Sequence, residues 1–159
     1  MDKIYDVIIL GAGPGGLAAG IYAGRARLDT LLIEKGKDGG QIAITDEIEN
    51  YPGQMVDGES GPSLIERMTK QVEKFGAERV SDTIVSVDIE GPVKTLVGSN
   101  GTYKARTLII ATGAFPRPIG CKGEGEFMGK GVSYCATCDA SFFEDLEVFV
   151  VGGGDSAVE

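Results

Sequence analysis

Two cysteines separated by two residues, Cys135 and Cys138, with Asp139 directly after them, are the side chains of this 159-residue sequence best suited to covalent chemistry. At that spacing the sulfurs can close one small ring, and such a pair cycles between dithiol and disulfide. Exchange needs a thiolate to attack and a proton for the departing sulfur. The sequence holds no histidine, so Asp139 is the nearest candidate acid or base. The remaining cysteine, Cys121, has no partner in spacing and reads as an incidental thiol. A zinc site needs four ligands, and Cys121 is the only side chain of the usual N/S set left to join the pair, so no metal is expected.

Glycines supply the second kind of chemistry. Gly11-Ala12-Gly13-Pro14-Gly15-Gly16 contains G-x-G-x-x-G between an apolar run and an alanine-rich stretch. The first glycine allows a tight turn, the second lets a pyrophosphate approach the backbone, and the third lets helix pack on strand. Free N–H groups and the positive end of the helix then face the phosphates. Glu34, at the end of the next apolar run, is placed to accept both ribose hydroxyls of an adenosine. Without that context the loop would be only a tight turn beside a surface carboxylate. A second copy, Gly152-x-Gly154-x-x-Ala157, with Asp155 and Ser156 between, follows another apolar run. Two dinucleotide loops in one chain suggest two cofactors whose reactive rings meet in a hydride relay.

These groups need elements to hold them. Asp6–Leu10 and Thr30–Ile33 read as buried parallel strands, with a helix over Leu17–Ala26 between them, one βαβ unit. Gly39-Gly40-Gln41 and Glu49–Gly53 read as loops. A helix is expected from Pro62 to Phe75, its Leu64, Ile65, Met68, Val72 and Phe75 on one face and Gly76 ending it. Val80–Ile89, Val93–Val97 and Tyr103–Ile110 read as an antiparallel meander laid over the βαβ unit, with Thr107–Gly113 as a closing buried strand. Phe115-Pro116-Arg117-Pro118 reads as a stiff linker. A short segment Ala140–Asp145 and a buried strand Glu147–Val151 follow, with a helix opening at the second glycine loop.

The fold class is therefore α/β: a Rossmann-like dinucleotide domain with a β-meander over residues 1–114, then the opening of a second Rossmann-like domain over 115–159. A lone strand and the first turn of a helix cannot bury their own apolar face, so the second domain is expected to be incomplete and inactive alone. Composition agrees with a globular enzyme: 42% of residues are hydrophobic and 25% charged. The formal net charge of −9 argues against nucleic acid or an anionic membrane as partner. No apolar stretch approaches the ~20 residues of a membrane span. Met1-Asp2-Lys3 lacks the basic start of a secretory signal, so a cytoplasmic protein is expected.

GAGPGGLAAGIYAGRA, GGQ, ENYPG, ERM, TLIIATGA, CATCD and VGGGDSAVE occur in that order from Tyr5 to Glu159. As a set they resemble the low-molecular-weight, bacterial-type thioredoxin reductases, and over that span the chain is similar to the family's N-terminal portion. The resemblance implies FAD held by Gly11, Gly13, Pro14, Gly15, Glu34, Gly40, Gln41, Thr45, Asn50, Ala111, Thr112 and Gly113. It implies NADPH at Gly152, Gly154, Asp155, Ser156 and Ala157, with Cys138 facing the flavin. It also implies that Cys135 attacks the disulfide of thioredoxin, with Asp139 as proton donor, in a homodimer. The family's basic cluster for the 2′-phosphate of NADPH lies past Glu159, so the choice of NADPH over NADH rests on the resemblance. Reductases fed by ferredoxin or specific for peroxiredoxins remain alternatives, as does a non-catalytic flavin-binding module.

Overall fold

The computed structural model describes residues 3–45, 47–48, 50–55 and 57–158, apart from the side chains of Thr137, Cys138, Ser141, Phe142 and Ser156. The chain divides into two compact units, Met1–Ala114 and Phe115–Glu159.

In the first unit, β1 (Ile4–Leu10) runs into α1 (Pro14–Arg25), which returns the chain to β2 (Thr30–Glu34), parallel to β1. Helix α1 starts three residues before the expected Leu17, because Pro14 has its φ preset for the first turn and its missing N–H is not needed there. A 3-10 turn over Gly40–Ile44 precedes α2 (Gly61–Lys74). Ser60 caps α2, its hydroxyl accepting the Ser63 N–H at 3.3 Å. The apolar stripe Leu64, Ile65, Met68 and Val72 is buried. The two helices pack through glycines of α1: a Cβ on Gly20 would stand 3.3 Å from Val72, and one on Gly24 would stand 2.7 Å from the Phe75 carbonyl oxygen.

The expected strand Val80–Ile89 is two strands. β3 (Glu78–Ser81) lies parallel to β2, and β4 (Ile84–Asp88) belongs to the opposite edge of the sheet. The break falls at Asp82, which is buried. Its carboxylate accepts the Thr83 N–H at 2.7 Å, the Asn100 N–H at 3.1 Å and the Tyr103 hydroxyl at 2.8 Å. Burial pushes its carboxyl up, but these donors prevail and hold it below the ordinary value. A short acceptor that binds its neighbour's amide turns the chain instead of continuing a ladder.

β5 (Lys94–Gly98) and β6 (Thr102–Ile110) complete the order β3-β2-β1-β6-β5-β4. The expected strands Tyr103–Ile110 and Thr107–Gly113 are one strand, β6, with two neighbours. Residues 102–105 pair antiparallel with β5, and 104–110 pair parallel with β1. Beyond Ala105 the β5 side of β6 has no partner among the described residues, so Ile109 and Ile110 are exposed instead of buried.

Alternation along β1 and β2 sends side chains to two cores. Val7, Ile9 and Leu32 meet Leu17 of α1 and Leu64, Met68 and Val72 of α2. Ile8, Leu31 and Ile33 meet Leu96 and Ala105 of the meander, which does cover the opposite face. Each such fully buried aliphatic side chain contributes about 1.5–3 kcal/mol.

The second unit is built of short pieces: α3 (Glu124–Phe127), α4 (Ala136–Asp139), a 3-10 turn over Ala140–Phe143, and α5 (Asp155–Val158). Glu124 anchors its start. Its carboxylate accepts the Ile119 and Gly120 N–H groups at 3.0 and 2.7 Å, and the Tyr134 hydroxyl. The Tyr134 hydroxyl most of all, with these amides, holds the carboxyl below its ordinary value against the effect of burial. The expected buried strand Glu147–Val151 does not form: Val148, Phe149, Val150 and Val151 are all exposed. A strand is completed by its neighbours' N–H and C=O groups, and the described residues of this unit offer no strand to pair with. Among the described residues no helix is long and apolar enough to cross a membrane.

Candidate functional site

Three chain segments meet where β1 ends. The Gly11 N–H donates to the Ile33 carbonyl and the Ala111 N–H to the Leu10 carbonyl, each at 2.8 Å. Gly11 has φ +107°, and a Cβ there would stand 2.8 Å from the Ala111 carbonyl carbon, so only glycine lets β1 and β6 end this close together. A Cβ on Gly16 would stand 2.9 Å from the Gly11 carbonyl carbon and closer still to its oxygen, which seats α1 on the strand end.

Gly13 and Gly15 differ from these two. A Cβ on either meets no protein atom within 4 Å. No packing in the unit demands a glycine there, and the open space lies over the start of α1. That helix has no side-chain cap and no acidic residue in its first turn. Uncapped N–H groups at the positive end of a 12-residue helix, under a cradle that a methyl group would occupy, fit a diphosphate.

Glu34 borders the same loop. Its Oε2 accepts the Ala12 N–H at 2.9 Å and its Oε1 the Gly36 N–H at 3.1 Å. Each carboxylate oxygen has a second lone pair to offer, so the side chain can shape the loop and still accept a hydroxyl. The Gly39 N–H donates to the Ala12 carbonyl at 2.8 Å, and a Cβ on Gly40 would come within 3.8 Å of the Gly13 Cα. The Gln41 amide reaches the Ala114 carbonyl at 3.3 Å, tying the 3-10 turn to the segment after β6. The Thr45 hydroxyl donates to the Gln41 carbonyl at 3.4 Å. The structure thus gathers Gly11, Gly13, Pro14, Gly15, Glu34, Gly40 and Gln41 with Ala111, Thr112 and Gly113. Thr45 hangs from its margin, and Asn50 stands exposed in the irregular segment before α2.

In the second unit Cys135 is the N-cap of α4 and is disulfide-bonded, whereas Cys121 is free and exposed. The Cys138 side chain lies outside the described residues. Asp139 closes the single turn, its N–H donating to the Cys135 carbonyl at 3.1 Å. A residue not expected from the sequence joins them: the Ser133 Oγ accepts the Cys135 N–H at 3.1 Å and donates to Asp139 Oδ2 at 2.6 Å. Its only signal in the sequence is a hydroxyl two residues before the first cysteine, the spacing at which Ser bonds its neighbour's backbone.

The second glycine loop opens α5. Gly152 has φ +139°, and a Cβ there would stand 3.1 Å from the Ala157 Cβ; at Gly153 and Gly154 it would meet nothing within 4 Å. Where the first loop has Gly16, this loop accommodates a methyl group on Ala157. Asp155 starts the helix and is exposed, and the Ser156 side chain lies outside the described residues.

Comparison with known proteins gives a consistent picture. The pattern of the family described as pyridine nucleotide-disulphide oxidoreductase matches residues 5–159. A thioredoxin reductase of Peptoclostridium litorale is 60% identical over 159 residues, all of this chain and 50% of its own length. One from Listeria monocytogenes is 53% identical over 158 residues, covering 99% of this chain and 49% of the relative. The crystal structure of thioredoxin reductase from Streptococcus pyogenes superposes with a TM-score of 0.89 at 44% identity, over 99% of this chain and 51% of that one. The chain spans about half the length of the curated relatives it matches.

Proposed function

Because the chain belongs to the pyridine nucleotide-disulphide oxidoreductase family, we propose that the whole protein is a thioredoxin-disulfide reductase. In this reading electrons pass from NADPH through FAD to a Cys135–Cys138 disulfide and on to thioredoxin, in a cytoplasmic homodimer. The observation that carries it is Cys135, disulfide-bonded at the head of a single turn that ends on the carboxylate of Asp139. The open cradle over Gly13 and Gly15 supports a bound dinucleotide in the first unit.

Gly13 and Gly15 admit the diphosphate to the N–H groups of α1, and Glu34 accepts the adenosine ribose hydroxyls. The chemistry supplied by bound FAD is the delivery of two electrons, taken as hydride from NADPH, to the cysteine disulfide. The reduced pair then acts by exchange. The Cys135 thiolate attacks the thioredoxin disulfide, forming a mixed disulfide and expelling one thioredoxin sulfur, which takes the proton held by Asp139. The Cys138 thiolate next attacks Cys135, re-forming the enzyme disulfide and expelling the second thioredoxin sulfur, which is protonated from solvent. Two electrons leave the enzyme pair and reduce one disulfide to two thiols.

The test is anaerobic addition of NADPH to the flavin-loaded full-length protein, followed by oxidised thioredoxin. Bleaching of the flavin and appearance of thioredoxin thiols are expected. Flavin that stays oxidised with NADPH but bleaches with reduced ferredoxin would replace the electron donor. Thiols formed only on a peroxiredoxin would replace the acceptor, and flavin binding without any thiol turnover would leave a binding module.

A further inference from the structure

Ser133 makes more bonds than its position requires. It is exposed, so no core depends on it. Accepting the Cys135 N–H at 3.1 Å would by itself complete a local turn ahead of α4. Its single hydroxyl proton has two acceptors in reach, the Cys135 carbonyl at 3.3 Å and Asp139 Oδ2 at 2.6 Å. The shorter contact, to the carboxyl oxygen, takes the proton. The hydroxyl therefore accepts from one residue of the candidate site and donates to another.

We infer that Ser133 is a positioning residue for thiol–disulfide exchange, fixing the Asp139 carboxylate to the backbone of Cys135. This rests on the reading of Asp139 as the proton donor. With Oδ2 engaged by the hydroxyl, Oδ1 is the atom left to carry the proton to the departing sulfur. The anchor is the main chain of the cysteine itself, so the spacing of acid and thiol is set within one turn of the chain. Placement of this kind sets the rate of proton transfer and leaves substrate affinity alone.

The experiment compares Ser133→Ala, Ser133→Thr, Asp139→Asn and the Ser133→Ala/Asp139→Asn double variant in the full-length enzyme. Two substrates are used with the pre-reduced dithiol: an alkyl disulfide, whose leaving sulfur needs a proton, and an aromatic disulfide, whose leaving sulfur departs as a stable thiolate. Ser133→Ala is expected to slow alkyl exchange about tenfold, a part of the general-acid contribution, and to leave aromatic exchange within about twofold. In turnover with thioredoxin, kcat falls and KM holds. Ser133→Thr, which keeps the hydroxyl, restores the rate. The double variant is no slower than Asp139→Asn, because both substitutions remove one function.

Equal slowing with both disulfides, failure of Thr to rescue, or multiplication of the two losses would each overturn the role of Ser133 while leaving Asp139 as the acid. If Asp139→Asn exchanges the alkyl disulfide at the unmodified rate, the reading of Asp139 itself falls and this inference with it.

Discussion

The Gly11 carbonyl occupies the space that a side chain on Gly16 would need, with its carbon 2.9 Å from such a Cβ. Gly16→Ala must push α1 off the end of β1, and overpacking of this kind costs about 1–3 kcal/mol. Gly13→Ala meets no protein atom within 4 Å. Two substitutions three residues apart should therefore fail differently in the full-length protein. Gly16→Ala lowers the melting temperature whether or not flavin is present. Gly13→Ala leaves the melt of the flavin-free protein nearly unchanged and lowers flavin occupancy. Equal losses of melting temperature in the flavin-free state would refute the separation.

Glu34→Ala removes the acceptor of the Ala12 and Gly36 N–H groups together with the proposed ribose contacts. A hydrogen bond to a charged group is worth roughly 1.5–3 kcal/mol, so FAD should bind at least tenfold more weakly. Equilibrium dialysis of the full-length variant measures this, and an unchanged dissociation constant would remove Glu34 from the site.

The division of labour between the two thiols has its own trap. Cys138→Ser should let Cys135 accumulate a mixed disulfide with a thioredoxin that lacks its resolving cysteine, seen on a non-reducing gel. Cys135→Ser should give little adduct. The reverse pattern exchanges the two roles, and full thioredoxin reduction by either variant would show that the pair is not the redox centre.

Asp82 sets an expectation for acid. Its carboxyl is held below its ordinary value of 3.8 in the folded state, because its donors outweigh burial. A depressed folded pKa contributes stability that is complete above the unfolded value and is lost as pH falls through the folded one. The urea midpoint of the native protein should therefore decline below about pH 4. Asp82→Asn should lower the midpoint at neutral pH and remove part of that decline. A variant whose midpoint falls with acid as steeply as the parent's would assign the acid sensitivity elsewhere.

Exposed apolar residues from Val148 to Val151 form a short, charge-free, β-prone run with no paired strand among the described residues. This 159-residue chain expressed alone should self-associate through it. Light scattering of the isolated chain checks this, and Phe149→Lys with Val150→Lys should reduce the scattering. Unchanged scattering in the double variant would place the association at another surface.

Much of the first unit was legible in the sequence because local signals agreed there. The alanines after Leu17 define one helix, whose first turn at Pro14 was read as loop, and the apolar stripe Leu64 to Val72 defines another. The run Val80–Ile89 was misread as one strand because its β-branched residues outweigh Asp82 in any pattern. Only the long-range bonds of Asp82 to Asn100 and Tyr103 reveal the turn. Glu147–Val151 has every local mark of a buried strand, but burial is a property of neighbours, and among the described residues no strand pairs with it. At the candidate sites, the spacing of the glycines and cysteines was visible, whereas the two hydrogen bonds of Ser133, from the Cys135 N–H and to Asp139 Oδ2, had only a hydroxyl two residues before Cys135 to signal them.

The double use of β6 bears on how the polypeptide assembles. Its first four residues join β5 across the short turn at Ser99-Asn100-Gly101, a pairing that a nascent chain can form within microseconds. The rest of the strand joins β1, pairing Leu10 with Ile110 across almost the whole unit. Closing so long a loop is entropically costly and slow. The hairpin therefore serves as a template: by fixing the register of β6 early, it turns a distant search by β1 into docking on a prepared edge. Until residue 110 has left the ribosome, β1 has no partner on that side, and its apolar face waits for a strand still to be made.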